Sequence, residues 1–255
     1  MRLLLLSDIH SNLEGLEACL EVAPQFDMVV NLGDVVGYNA SPNEVCARVR
    51  EMGGTVVRGN HDRACSGLSD LSEFNLIAAM SARWTQTNLE FEHAEWLRSL
   101  PQGPLRHEQL PGIEFVHGSP RDEDEYVLSP PIAALDFQLE ENADVIFFGH
   151  THLQGGFRYR DGRAQYFVPE YGDGAGFLSS TMKLQSDERY LINPGSVGQP
   201  RDNDWLAAFA LYENDGDAPA TVTFFRVPYD VKSAQARVLA ANLPERLATR
   251  LALGR

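Results

Sequence analysis

The sequence predicts an α/β protein, and three observations carry that prediction. Short apolar runs alternate with helix-period stretches as far as about residue 150, closely spaced strand patterns take over from Gly155, and the early apolar runs end in clusters of Gly, Asp, Asn or His.

The apolar runs Leu3 to Leu6, Met28 to Leu32, Thr55 to Val57, Ile113 to Val116 and Val145 to Phe148 are too short for helices and too uniformly apolar for half-exposed strands, so they read as buried strands. Helix-period stretches lie between them, at about Leu13 to Val22, Pro42 to Met52, Ser72 to Leu89 and Pro131 to Asn142. Ser41 is placed to N-cap the second of these, with Pro42 at its first helical position. Such alternation predicts a largely parallel sheet with covered faces. Beyond Gly155, Phe157 to Arg160, Arg163 to Val168, Tyr190 to Asn193, Leu206 to Tyr212 and Thr221 to Val227 read as strands separated by Gly and Asp turns. That half predicts a mostly antiparallel sheet packed on the first. Gly172 to Gly176 reads as a mobile surface loop, and Val231 to Leu253 returns to a helical pattern broken near Leu243-Pro244.

The chain has 255 residues, 44% of them hydrophobic, enough for one large core, so residues 1–255 are expected to form a single domain. The N-terminal apolar run meets Asp8 without a signal-peptide pattern, and no later stretch approaches membrane-spanning length. Cys19, Cys46 and Cys65 are scattered without CxxC spacing, which argues against a disulfide framework or a thiolate metal site and predicts a cytoplasmic protein with buried or half-buried thiols. The formal charge of −15, with no concentrated run of Lys or Arg, disfavours a nucleic-acid partner. Most of the Asp and Glu residues fall outside any motif and read as ordinary solvated surface.

The chemistry-bearing residues follow the predicted strands. In order they are Asp8-Ile9-His10, Gly33-Asp34, Gly59-Asn60-His61-Asp62, His117-Gly118 and Gly149-His150-Thr151-His152. In an open α/β sheet, the carboxyl ends of the strands meet in one crevice. Five of the seven histidines fall in these clusters, leaving only His93 and His107 elsewhere, so chance placement is a poor explanation. Any single element is ordinary: Asp-x-His suits capping, and Gly-Asp is turn chemistry. Together they would crowd ionisable side chains into one crevice, which is costly unless cations compensate them. Imidazole and carboxylate donors without thiolates suit borderline divalent ions such as Mn, Fe, Co, Ni or Zn.

The ordered set resembles the calcineurin-like metallophosphoesterase superfamily, whose pattern runs D-x-H, GD, GNH(D/E), a His, and G-H-x-H. The resemblance covers roughly residues 8 to 152 and implies a four-layer α/β/β/α sandwich of two mixed sheets flanked by helices. It implies two divalent metal ions: Asp8, His10 and His152 would hold the first, Asn60, His117 and His150 the second, and Asp34 would bridge them. The implied activity is hydrolysis of a small phosphodiester or phosphomonoester by water activated between the ions, with His61 as the general acid. Asp62 is open to two readings, orienting His61 or beginning the next helix.

Other residues carry weaker signals. Asn12 and Asn31 could hydrogen-bond a ligand, or equally serve as a cap and a strand end. Arg58 and Arg63 flank Asn60-His61. Arg201 closes the turn Asn193-Pro194-Gly195-Ser196-Val197-Gly198-Gln199-Pro200-Arg201, whose backbone N–H groups could meet a phosphate or simply make a tight turn. This turn resembles the Asn-Pro-Gly-Ser turn of small bacterial phosphodiesterases. Protein phosphatases of the superfamily continue GD as GDYVDRG, whereas here Gly33-Asp34 runs into Val35-Val36-Gly37-Tyr38-Asn39. The later Asp and Arg are absent, so the stretch looks like the small bacterial and archaeal phosphodiesterase branch, and Tyr38 becomes a candidate pocket residue alongside Asn12 and Arg201. Two competing readings are a nuclease of the same superfamily, against which the missing basic stripe counts, and a catalytically silent metal-binding scaffold, against which the retained His61 and ligand positions count.

Overall fold

A computed structural model describes residues 1–173, 176–216 and 218–255. The chain runs β1 (Arg2–Leu6), α1 (Leu13–Val22), β2 (Met28–Asn31), α2 (Pro42–Met52), β3 (Thr55–Val56), α3 (Asn60–Cys65), α4 (Leu76–Asn88), α5 (Phe91–Ser99), β4 (Leu105–Arg106), β5 (Ile113–Phe115), α6 (Pro130–Leu139) and β6 (Val145–Phe147). It continues through β7 (Gly155–Arg160), β8 (Arg163–Phe167), β9 (Gly172–Asp173), β10 (Leu178–Lys183), β11 (Arg189–Asn193), β12 (Ala207–Glu213), β13 (Thr221–Val227), α7 (Val231–Ala240) and α8 (Glu245–Leu251). Of the predicted surface loop Gly172 to Gly176, residues 174 and 175 lie outside the described residues.

Alternation along β1 defines the layers, because successive side chains of a strand point to opposite faces. Leu3 and Leu5 pack with Ile113, Phe115, Phe147 and Phe224 in the core between two sheets. Leu4 and Leu6 face the other way and pack with Leu16 of α1, Val45 and Val49 of α2 and Ala234 of α7. On the far side of the second sheet, Ile146 and Leu191 meet Ala133 and Phe137 of α6. The result is the α/β/β/α sandwich of two mixed sheets. Burial on both faces explains why β1 reads as an unbroken apolar run.

The order of strands is β3-β2-β1-β12-β13-β10-β9 in one sheet and β4-β5-β6-β11-β7-β8 in the other. This corrects the expectation of one sheet per half of the chain. The late strand β12 pairs antiparallel with β1, and β11 pairs parallel with β6, so each half contributes to both sheets. Apolar patterning specifies which face of a strand is buried, not which strand lies beside it.

The helix predictions need smaller corrections. Ser41 occupies the N-cap of α2 ahead of Pro42 but makes no side-chain cap hydrogen bond. The stretch predicted from Ser72 begins instead at Leu76, capped by Asn75, whose side chain accepts from Ala78 N–H at 3.1 Å. Short α3 and α5 were not predicted. In α5 only His93 and Leu97 are buried, too narrow a stripe to stand out. Strand β10, Leu-Ser-Ser-Thr-Met-Lys, was also missed, because its polar, half-exposed residues lack an apolar run. The C-terminal helical segment breaks where expected, with Pro244 capping α8. Its Leu251 joins the same core as Leu4 and Leu6. Cys19, Cys46 and Cys65 are buried and free, and no helix among the described residues is long and apolar enough to cross a membrane.

Candidate metal centre

The loops after β1 and β2 are zipped together by their backbones. Asp8 N–H donates to the Gly33 carbonyl at 3.0 Å, His10 N–H to Asp34 at 2.9 Å and Ser11 N–H to Val35 at 3.0 Å. In these loops and the one after β6, Asp8, His10, Asp34, His150 and His152 all adopt left-handed backbone conformations, with φ between 48° and 63°. That region costs a non-glycine residue about 1–2 kcal/mol. Concentrating the strain on these residues aims their side chains at one another. Gly59 makes room for them, since a Cβ there would stand 2.2 Å from Asp34 Oδ1.

Hydrogen bonding fixes which nitrogen of each imidazole faces inward. His10 Nδ1–H donates to the Val36 carbonyl at 3.0 Å, His117 Nδ1–H to Leu32 at 2.8 Å, His152 Nδ1–H to Gln199 at 2.6 Å and His150 Nε2–H to Asp124 at 3.1 Å. A carbonyl only accepts, so each assignment follows from the partner. In the neutral rings the remaining nitrogens are acceptors, and they converge. His10 Nε2 lies 3.1 Å from His152 Nε2, and His152 Nε2 lies 3.1 Å from Asp8 Oδ1, a buried oxygen without a hydrogen-bond donor. His117 Nε2 lies 3.2 Å from both His150 Nδ1 and Asn60 Oδ1.

Asp34 stands between the two clusters. Its Oδ2 is 3.5 Å from His10 Nε2 and 3.4 Å from His117 Nε2, while Oδ1 accepts from His61 N–H at 2.8 Å. Asp8, His10, Asp34 and His152 form one group with a donor atom each within 4.8 Å of the others, and Asp34, His117 and His150 form a second. Acceptors packed this closely and buried repel one another unless a cation or proton lies among them. The donor set therefore fits divalent metal.

Electrostatics bear on the same point. Burial holds the His10 and His152 imidazoles below their ordinary range, and burial together with the neighbouring His117 takes His150 down to about 3. These rings stay neutral, the form that ligates. Burial also works against a charged His117, but the charge and hydrogen bond of Asp34 outweigh it and carry the ring up to about 10.

The other predicted residues fall in three places. His61 lies at the edge of the cluster, its ring 4.8 Å from His10, 4.4 Å from Tyr38 and 4.8 Å from Phe74. Tyr38 and Arg201 meet at the rim: the guanidinium lies 5.8 Å above the Tyr38 ring and donates to its hydroxyl at 3.4 Å. Asn12 does not face this space. Its Oδ1 caps α1 through Gly15 N–H at 3.0 Å and its Nδ2 donates to the Gly198 carbonyl at 3.0 Å, so the substrate-binding expectation is corrected to a structural one. Asn31 likewise accepts from Gly33 N–H rather than touching a ligand side chain.

The turn from Asn193 to Arg201 is corrected as well. Val197 N–H donates to Ser7 and Gly198 N–H to Asp8, each at 3.0 Å, and Ser196 Oγ–H donates to the Asp8 carbonyl at 2.8 Å. Two of its N–H groups are thus spent holding the first motif in place, and those of Gly195, Gln199 and Arg201 donate to Asn193, Ser196 and His152. Asp62 does not reach the His61 ring. Its carboxylate accepts backbone N–H groups from Gly59, Asp34 and Val36. Arg58 and Arg63 are paired with Glu123, and Arg63 also with Asp124 at 2.7 Å. The two histidines outside the motifs stay outside the cluster: His93 receives Arg50, and His107 bonds Thr55.

Two neighbours were invisible in the sequence. Tyr126 lies over His150 with ring centroids 3.9 Å apart, and Arg250 of α8 lies 5.6 Å from the Tyr38 ring. Both come from segments without a motif, and only the fold brings them to the site.

The sequence pattern of the calcineurin-like phosphoesterase superfamily domain matches residues 1–217. A crystal structure of a metallophosphoesterase from Sphaerobacter thermophilus is 39% identical, covers 100% of this chain and 99% of its own, and superposes with a TM-score of 0.82. An uncharacterised protein of Methanocaldococcus jannaschii is 34% identical over 98% of this chain and 97% of its own length. The phosphodiesterase YfcE of Escherichia coli is 27% identical over 84% of this chain and 89% of its own length.

Proposed function

Because the chain belongs to the calcineurin-like phosphoesterase superfamily, we propose that it is a hydrolase of small phosphodiesters or phosphomonoesters that works with two divalent ions, drawn from Mn, Fe, Zn, Ni or Co. Asp8, His10, His152 and Asp34 would hold one ion, and Asp34, Asn60, His117 and His150 the other. The observation that carries this reading is the inward convergence of acceptor nitrogens and oxygens, with the opposite edge of each imidazole anchored to a backbone carbonyl. When bound, the ions would supply Lewis acidity, making water a better nucleophile and drawing charge from the phosphate oxygens.

The protein's own residues divide the remaining work. His61 Nδ1 is buried without a hydrogen-bond partner, and a Cβ on Gly37 would come within 2.5 Å of it. That leaves Nε2 to hand a proton to the departing oxygen. Tyr38 and Phe74 clamp the ring and limit its rotation. Arg201 reaches past Tyr38 with Nε unpartnered, as a group that orients a phosphate oxygen would. The named activity of the YfcE relative supports a diesterase.

The whole chain acts as one domain in this reading, because α7 and α8 complete the core beneath β1. Its three buried thiols suit a cytoplasmic setting. The test is turnover of bis(p-nitrophenyl) phosphate and p-nitrophenyl phosphate after chelation and after return of Mn. Activity should vanish with the metal and recover with it. Turnover that survives verified metal removal overturns the reading.

A further inference from the structure

Tyr38 also borders a cavity of about 680 Å³, walled by Leu76 and Ile77 at the start of α4 and by Arg246 and Arg250 of α8. Arg255 also lines it, its main-chain oxygen accepting Arg250 Nε–H, and no Asp or Glu side chain does. That is a marked local reversal in a chain with 36 acidic residues against 21 basic ones. Among the described residues, neither Arg201, Arg246 nor Arg250 makes a salt bridge, although the acidic surface elsewhere pairs many of its arginines. Arg201 and Arg250 both lie over the Tyr38 ring, at 5.8 and 5.6 Å. Two like charges thus lie near one aromatic ring. Burial, followed by the charge of Arg201, takes Arg250 down to about 10. The volume is in the range of small-molecule sites, and its apolar wall with convergent cations is the pattern such sites show.

The position of Tyr38 links this cavity to the metal-ligand cluster. Its ring is 4.7 Å from that of His10 and 5.6 Å from the Arg250 guanidinium, so the same side chain borders both the cluster and the cavity. We infer that the cavity is a recognition subsite for a second phosphate on the substrate, remote from the one that reacts, with Arg246 and Arg250 as the residues that determine specificity. The substrate is then a small organic phosphoester bearing an additional phosphate, with its carbon skeleton against Leu76 and Ile77. The inference rests on the hydrolase reading, which places the reacting phosphate beside Asp34. Guanidinium groups suit the role because they present planar forks to phosphate oxygens and stay charged at neutral pH.

The test compares thymidine 5′-(p-nitrophenyl phosphate) with the same ester carrying a 3′-phosphate, using the Mn-loaded full chain. The added phosphate should lower KM about tenfold or more. Arg250→Ala and Arg246→Glu should bring the ratio of the two KM values close to one, and Arg250→Lys should restore part of it. Arg246 is exposed, so its substitution keeps the test valid even if Arg250→Ala folds poorly. A wild-type ratio near one, or a ratio unchanged in both variants, overturns the subsite. Thermal unfolding supplies an arm that needs no turnover: thymidine 3′,5′-bisphosphate should raise the Tm of the loaded wild type more than thymidine 5′-monophosphate does, and Arg246→Glu should erase the difference. Absence of aryl ester turnover would refute the hydrolase reading, whereas equal thermal shifts would refute the subsite.

Discussion

The carboxylate of Asp62 accepts the backbone N–H of Asp34 at 2.8 Å, so one acidic residue fixes the main chain from which another reaches into the cluster. The same carboxylate takes Gly59 N–H at 3.0 Å and Val36 N–H at 3.1 Å, tying the start of α3 to the loop after β2. Asp62→Asn keeps the size but replaces one acceptor with a donor that faces N–H groups. At least one buried hydrogen bond is then lost, for about 1–3 kcal/mol of stability. Because the Asp34 backbone loosens with it, metal affinity should fall about 10- to 100-fold. Urea unfolding and metal titration together check this, and an Asn variant with wild-type values in both would show that the three contacts are dispensable.

The position of His61 makes a different claim. Its ring contacts Tyr38 and Phe74, but its own side-chain nitrogens make no contact with Asp34. His61→Asn should therefore leave metal binding intact while lowering turnover by about 10² to 10⁴ for an alkyl ester. A p-nitrophenyl ester, whose leaving group scarcely needs protonation, should lose much less. Rates against leaving-group pKa give the readout. An equal loss for good and poor leaving groups would remove His61 from the proton-transfer step.

Asp34 is the residue the two ligand groups share, with Oδ2 within 3.5 Å of both His10 Nε2 and His117 Nε2. Its replacement should act on both ions at once, whereas loss of His152 should weaken one selectively. Metal analysis of Asp34→Asn and His152→Ala distinguishes these outcomes. If Asp34→Asn still retained two ions per chain, the shared-ligand arrangement would be wrong.

What the sequence discloses follows from what each residue must do locally. The strands that end in the motifs are legible because burial on both faces of β1 and β6 leaves uninterrupted apolar runs. The motifs stand out because ionisable residues stop those runs. Pairing between distant strands is not local: nothing in Ala207–Glu213 says that it will lie beside Arg2–Leu6. The same limit hides Tyr126 and Arg250, whose roles depend only on where the fold delivers them. The Asn193 to Arg201 turn is the instructive case. Its glycines suggest open N–H groups, but the Asp8 carbonyl takes that of Gly198 and Asn193 Oδ1 takes that of Gly195.

Away from the cluster, Asp136 of α6 offers a pH-dependent prediction. It is fully buried and accepts Arg121 Nε–H at 2.9 Å, and Arg121 in turn pairs at 2.7 Å with Glu125 in the segment that carries Asp124 and Tyr126. Burial pushes the Asp136 carboxyl up from 3.8 to about 6, with Arg121 opposing the rise. A folded-state value above the unfolded one means that the native chain binds the proton more tightly. Stability is thus lost as the pH climbs from about 4 through about 6 and levels off above that. Asp136→Asn has no proton to lose. Between pH 4 and pH 7.5, the stability of wild type relative to the variant should therefore fall by as much as about 3 kcal/mol, on the usual conversion of a two-unit shift. Urea unfolding of both proteins at the two pH values measures the change, and because groups common to both proteins cancel, the difference isolates this carboxyl. A gap that stays constant across that range would mean that Arg121 fully compensates the ionised carboxylate and that burial imposes no net penalty there.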